Sequence, residues 1–202
     1  MFYKASIYIA DILEQQNKFT ADDKELYRYG IQQGLNLALN ILTTLIIGCL
    51  CGMFYSSVLF LVSYMPLRSF CGGYHAKTHF RCYIYSVVMI TCILLVAKYL
   101  TFSTLVYEIL VLIGFTVILL LAPVEDQNKT LDSDEKSVFR KKACIIALLE
   151  VLIYHFCLIA NLVNSYTILA ISICSLSILM IIGRIKNFIW SKKKRFNTYN
   201  LN

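Results

Sequence analysis

An all-α, polytopic membrane fold is what the sequence predicts, on three observations. Of 202 residues, 58% are hydrophobic and only 15% are charged, against about 45–50% and about 25% in soluble domains. The apolar residues gather in six stretches, 31–50, 54–67, 83–97, 104–122, 143–160 and 166–183, and about 20 such residues cross a bilayer. The basic residues are segregated: of 19 Lys and Arg, four lie in 1–30, three in 67–82, five in 123–142 and six in 184–202, leaving Lys98 by itself. Six crossings put those four segments on one side, and the positive-inside rule makes that side cytoplasmic, with both termini on it. A disordered chain is excluded by the same composition, and an ordinary soluble globule is a poor fit.

The net charge of +7 would point to nucleic acid in a soluble protein. Here it orients loops, and no nucleic-acid partner is expected; the lipid bilayer is. Of eight cysteines, six (Cys49, Cys51, Cys92, Cys144, Cys157, Cys174) sit in apolar stretches, where Cys acts as a small hydrophobe. Only Cys71 and Cys82 fall in a polar segment, so no disulfide framework is expected.

Taken in order, residues 2–16 read as an amphipathic helix, with Phe2, Ala5, Ile9, Ile12, Leu13 and Gln16 at helical spacing. It either lies flat on the membrane or packs on the protein's own face. Acidic residues throughout 1–30 leave no cleavable signal peptide to be read there. Gly48 and Gly52 mark a tight turn, so 31–67 is expected to form a hairpin of two spans. The stretches 54–67 and 83–97 are short for full crossings. The chain then reads as one domain over 1–202: an amphipathic region to 30, a six-span bundle over 31–183 containing a polar loop at 67–82, and a basic tail from 184.

That loop, Arg68-Ser69-Phe70-Cys71-Gly72-Gly73-Tyr74-His75-Ala76-Lys77-Thr78-His79-Phe80-Arg81-Cys82, holds two of the three His and both cysteines outside apolar runs. A cysteine nucleophile needs a thiolate, which a His partner and a helix N-terminus both favour. Cys82 falls near the first turn of the helix entering the third span. His75 is seven residues earlier, about 10.5 Å away along one straight helix, so a His75–Cys82 dyad requires a bend, and Gly72-Gly73 supplies backbone freedom for one. Free N–H groups at that helix start can hold an oxyanion. His79 with Cys82, and Cys71 with His75, are rival pairs. Cys71, His75, His79 and Cys82 also form a Cys2His2 set, at a spacing unlike the usual zinc fingers. A polar interfacial loop whose His and Cys merely pack explains the same residues, and the chemistry by itself leaves these readings open.

The run Arg68-x3-Gly72-Gly73-x-His75-x6-Cys82 after an apolar hairpin resembles the signature of the accessory gene regulator protein B (AgrB) family, polytopic membrane cysteine peptidases of Gram-positive bacteria. The likeness covers the chain: its length, amphipathic start, six apolar segments and basic tail. A second similar stretch is Ala122-Pro123-Val124-Glu125-Asp126-Gln127-Asn128-Lys129, with Thr130 where the family often has Pro. The resemblance implies Cys82 as nucleophile and His75 as base, with no cofactor and no metal. It implies an AgrD-type propeptide substrate with an amphipathic leader and an acidic C-terminal tail. Cys82 attacks the bond joining signal to tail, and an internal Cys or Ser of the peptide resolves the thioester into a thiolactone or lactone ring. Arg68, Gly72, Gly73 and Lys129 are the candidate substrate contacts, with Lys141 and Lys142 further cations able to meet an acidic tail. Cys71 and His79 fall outside the implied catalytic pair and read as packing residues.

Glu108 and Glu150 are acids inside apolar segments, where a charge is costly. Glu108 lies near the outer end of its span, within reach of water. Glu150 is nearer mid-span, with His155 five residues on. A homodimer suits the short spans and small residues. The rival class is a small multi-pass peptide transporter, or a zinc-binding membrane protein, without peptidase activity.

Overall fold

One amphipathic run and six apolar runs become seven helices in the computed structural model of the chain, which describes residues 3–15, 23–74, 76, 78–125 and 131–199, with only the backbone for 193–199 and a few other helical positions. The helices are α1 (Tyr3–Gln15), α2 (Lys24–Leu50), α3 (Phe54–Cys71), α4 (His79–Tyr99), α5 (Thr104–Leu121), α6 (Ser133–Ile159) and α7 (Val163–Tyr199). Among the described residues there is no strand, only a single parallel bridge between Gly72 and Val124.

The helices overrun their apolar stretches at one end of the molecule. α6 starts ten residues before its apolar run, and α7 continues to Tyr199, so the basic tail expected from residue 184 is a helical extension of the last span. Lys and Arg are good helix formers, and no Gly or Pro interrupts residues 184–199. α1 packs on the start of α2: the Lys24 ammonium meets Asp11 at 2.8 Å and Glu14 at 2.6 Å, and Arg28 lies 5.3 Å over the Tyr3 ring. Of the two readings of this helix, the structure shows packing on the protein itself.

The expected α2–α3 hairpin is present. α2 stops at Leu50, Gly52 takes the left-handed φ of +67°, and the Met53 N–H donates to the Gly48 carbonyl at 2.7 Å. α7 is the central helix: half of its apolar span is buried, against 11–28% in α2, α4, α5 and α6. Its Leu169, Ala170, Ile173, Leu176 and Met180 form one core with Leu67, Val111, Ile118, Ala143, Ala147 and Tyr154 of α3, α5 and α6. A smaller core joins Phe60, Ile90, Ile93, Leu94 and Ile168. The outer surface carries exposed Leu, Ile, Val and Phe on every helix from α2 to α7, far beyond the apolar patch a soluble protein tolerates.

Among the described residues, five helices are long and apolar enough to cross a membrane: α2, α4, α5, α6 and α7. α3, expected as a sixth, is not among them, because four Ser, Pro66 and Arg68 lower its hydropathy. Its polar face turns inward. Ser56, Ser57 and Ser63 are buried, and Ser63 Oγ donates to Ser172 Oγ of α7 at 2.8 Å. The helix ends sort into two groups. Lys98 Nζ donates to the Cys51 carbonyl at 2.7 Å, and the Tyr55 and Ser165 hydroxyls meet at 3.0 Å, at one end. Gly72, Val124, Glu125 and Asn187 meet at the other.

Candidate active site

The two stretches singled out in the sequence lie against each other. Gly73 N–H donates to the Val124 carbonyl at 3.3 Å, and Val124 N–H donates to the Cys71 carbonyl at 2.8 Å. Gly72 has φ +70°, and a Cβ there would overlap the Val124 carbonyl, so the segment after α3 can approach the segment after α5 only without a side chain at that residue. Gly73, at φ +130°, sits over the Arg68 guanidinium, where a Cβ would come within 2.7 Å of Nη1. The Ala122–Pro123 bond is cis.

The next residue, Tyr74, is held by both of its backbone polar groups. Its N–H donates to the Leu179 carbonyl of α7 at 3.0 Å, and its carbonyl accepts from Arg68 Nη2 at 2.7 Å. Its ring packs edge-on against Tyr85 at 6.0 Å, with Lys186 Nζ 5.2 Å away on the ring. Gly183, the only glycine of α7, makes this approach possible, since a Cβ there would lie 2.8 Å from the Gly73 carbonyl carbon and the Tyr74 nitrogen. Gly183 and Leu179 gave no sign in the sequence beyond that lone glycine. Of the expected site residues, His75 and Lys129 lie outside the described residues, and of His79 only the backbone is described.

Cys82 is where the sequence placed it, in the first turn of α4. Thr78 caps that helix, its Oγ1 accepting from the Arg81 N–H at 3.3 Å, while the Cys82 N–H donates to the Thr78 carbonyl at 3.0 Å. Its side chain is half-buried and faces a cavity of about 310 Å³ between α2, α3 and α4. Arg68, Ser69, Tyr74 and Leu37 are also part of the wall. A second cavity of about 430 Å³ lies on the other side of Arg68, between Gln33 and Gly34 of α2, the Gly72–Val124 pair and Phe139 of α6. Leu37, Arg68 and Ser69 are common to both.

Cys71 is not a loop residue. It is the last residue of α3 and is fully buried in the main core, off the wall that Cys82 faces. Among the described residues no group of His, Cys, Asp and Glu is disposed to hold a metal ion. Glu125, part of the second stretch, organises its loop. Its carboxylate accepts from the Leu131 N–H and from Lys136 Nζ, both at 3.0 Å, and its carbonyl accepts from Asn187 of α7 at 2.7 Å. Partial burial pushes its carboxyl up, but the Leu131 N–H, Lys136 and the more distant Arg184 outweigh this and hold it below the usual carboxylate range. Lys142 lies 5.1 Å from the Phe70 ring centre and Lys141 is exposed, both at this end of the bundle.

The intramembrane acids separate. Glu108 Oε2 meets His155 Nε2 at 3.4 Å, and Glu108 Oε1 accepts from the Tyr154 hydroxyl at 3.4 Å. Glu150 is 5% exposed, and its Oε2 has no hydrogen-bond partner among the described residues. Five residues turn a helix through about 140° beyond one full revolution, so His155 points away from Glu150 and pairs across to α5.

Comparison with known proteins adds a family. Residues 6–182 match the family model described as accessory gene regulator B. The chain is 24% identical over 170 residues to an AgrB-like protein of Clostridium perfringens (strain SM101 / Type A), covering 77% of this chain and 79% of that one. It is 26% identical over 144 residues to the accessory gene regulator protein B of Staphylococcus saprophyticus, covering 71% and 76%. No solved structure matches.

Proposed function

Because this chain belongs to the accessory gene regulator B family, we propose that it is a membrane cysteine endopeptidase that removes the acidic tail of an AgrD-type quorum-sensing propeptide and cyclises the remainder. Cys82 is the nucleophile and His75 its base. His75 takes the thiol proton, Sγ bonds to the carbonyl carbon joining signal to tail, and the C–N bond breaks. The leaving amine takes the proton from His75, and the signal stays on Cys82 as a thioester. A Cys or Ser side chain of the same peptide then attacks that carbonyl, its proton passing through His75 back to the departing Cys82 thiolate. The product is a thiolactone or lactone. Exchange of one acyl group between thiols is near energetic balance, so positioning the internal nucleophile and excluding water decide the yield.

The observation that carries this reading is the setting of Cys82. It lies in the first turn of a capped helix and faces a cavity sheltered by three helices. Tyr74, adjacent to His75 in the chain, is fixed from both sides and lines the same cavity. Arg68 and Lys129 are the proposed contacts to the propeptide, and Gly72 and Gly73 allow the close packing beside Arg68. The end bearing Cys82 is taken as cytoplasmic, with six spans including α3, whose 18 residues reach about 27 Å, close to the hydrocarbon thickness. In cells co-expressing a cognate propeptide, Cys82→Ala and His75→Ala abolish tail release, while Cys71→Ala and His79→Ala keep most of it, as followed by mass spectrometry. Tail release surviving Cys82→Ala would overturn the reading.

A further inference from the structure

The cavity that Cys82 faces has a chemistry that bond cleavage by itself does not require. From Cys82 and Leu37 at its mouth it runs inward to Thr44, Phe60 and Ile90. The eight residues from 82 to 90 along α4 correspond to a depth of about 12 Å. Among the described residues, the charged side chain on its wall is Arg68, at the mouth, where the guanidinium holds the Tyr74 carbonyl. Three of the inner polar side chains donate within their own helices. Asn40 Nδ2 donates to the Asn36 carbonyl at 2.9 Å, Thr44 Oγ1 to the Asn40 carbonyl at 2.8 Å, and Ser86 Oγ to the Cys82 carbonyl at 3.1 Å. A guest reaching past Cys82 therefore meets mainly carbon, and a polar guest would give up its bonds to water without replacing them. The volume of about 310 Å³ stands near the lower limit of about 300–1,000 Å³ for small-molecule sites. It has room for a side chain or two and not for a whole cyclic peptide.

We propose that this chamber is the acyl-side subsite: it receives a bulky apolar side chain from the residue whose carbonyl carbon becomes bonded to Cys82 Sγ, and Leu61 and Met89 set the size it accepts. The proposal rests on Cys82 being the nucleophile. The tethered residue enters from the mouth, its backbone stays beside Arg68 and Tyr74, and its side chain fills the space between α2, α3 and α4. Selection for an apolar residue at that position follows from the wall, not from the cysteine.

N-substituted maleimides test this without a known substrate. The Cys82 thiolate adds across the ring double bond, the new C–S bond forms, and a proton from water goes to the neighbouring carbon with no leaving group. The substituent then stays tethered to Sγ, as an acyl residue would. The full chain in detergent is treated with the N-methyl, N-cyclohexyl and N-benzyl reagents, and labelling is read by peptide mass spectrometry. Cys49, exposed in the last turn of α2, normalises for partition of the reagents into the micelle. The expected result is a Cys82-to-Cys49 ratio rising about tenfold from methyl to benzyl, the lower end of what an apolar pocket gives per added methylene. Met89→Trp removes that rise, and Leu61→Ala, which enlarges the chamber, makes it steeper. If Met89→Trp does not fold, Leu61→Ala decides. A flat or falling series in the wild-type chain, or a rise that neither variant alters, overturns the subsite. Tail release that persists in Cys82→Ala overturns the nucleophile assignment instead, whatever the labelling shows.

Discussion

Gly72 is the residue at which one added methyl group changes most. Its left-handed φ costs a non-glycine residue about 1–2 kcal/mol, and the new Cβ would press on the Val124 carbonyl, which is backbone and cannot swing aside. Gly30, in α2, has nothing within 4 Å of where a Cβ would stand, so Ala there gains the helix preference of about 0.5–1 kcal/mol. Thermal melts in detergent are expected to fall for Gly72→Ala, with tail release falling alongside, and to rise slightly for Gly30→Ala. Glu150 is the other residue whose chemistry stands apart from the bundle. Its carboxyl is buried against Ser63 with one oxygen unpartnered, and an ionised group in such a place is costly to hold. Glu150→Gln keeps the shape and removes the ionisable proton, so stability is expected to hold or increase. A large loss of stability would mean that the charge itself is bonded in the core.

At the scale of the element, the start of α4 and the loop after α5 govern the site. Thr78→Ala removes the side-chain cap beneath Cys82 and is expected to cost about 1 kcal/mol, with slower modification of Cys82 by iodoacetamide, while Thr78→Ser restores both. The loop after α5 depends on Glu125. Its folded carboxyl sits below its ordinary value of 4.5, so its stabilising contribution is present above that value and is lost as pH falls through the depressed one. The pair with Lys136 is about half exposed, so Glu125→Gln is expected to cost about 1 kcal/mol near neutral pH. The melting curves of the two proteins should converge on acidification from about pH 7 to about pH 3. A gap independent of pH would assign the effect to packing.

At the scale of the whole molecule, charge and hydropathy divide the chain in the same way. The described cations of α2, α6 and the end of α7 gather at the end that holds Cys82, and Lys98 stands at the other, bonded to the turn between α2 and α3. The proposed topology, with that end cytoplasmic, predicts that Lys98→Cys is labelled from outside intact cells by a membrane-impermeant maleimide and that Lys136→Cys is not. Protection of position 98 together with labelling of position 136 would invert the topology.

Helix type and order were legible along the chain, because apolar runs between Gly, Pro and polar breaks are local signals. So were the α2–α3 turn at Gly52 and the position of Cys82 in the first turn of a helix. The helical extent of the basic ends was missed because charge, not propensity, was the guide there. Other features required the third dimension. That α3 turns Ser56, Ser57 and Ser63 inward, Ser63 against α7, that Cys71 is core while Cys82 faces a cavity, and that His155 serves Glu108 and not Glu150 depend on which faces meet. The contact between the Gly72-Gly73 segment and Val124, and the seating of Tyr74 on α7 over Gly183, join residues about fifty and more than a hundred positions apart. The sequence by itself determined a helical membrane chain, its basic asymmetry and the cysteine to watch. Only the tertiary structure decided what surrounds that cysteine, because a cavity wall is made by helices whose spacing in sequence carries no information about their spacing in space.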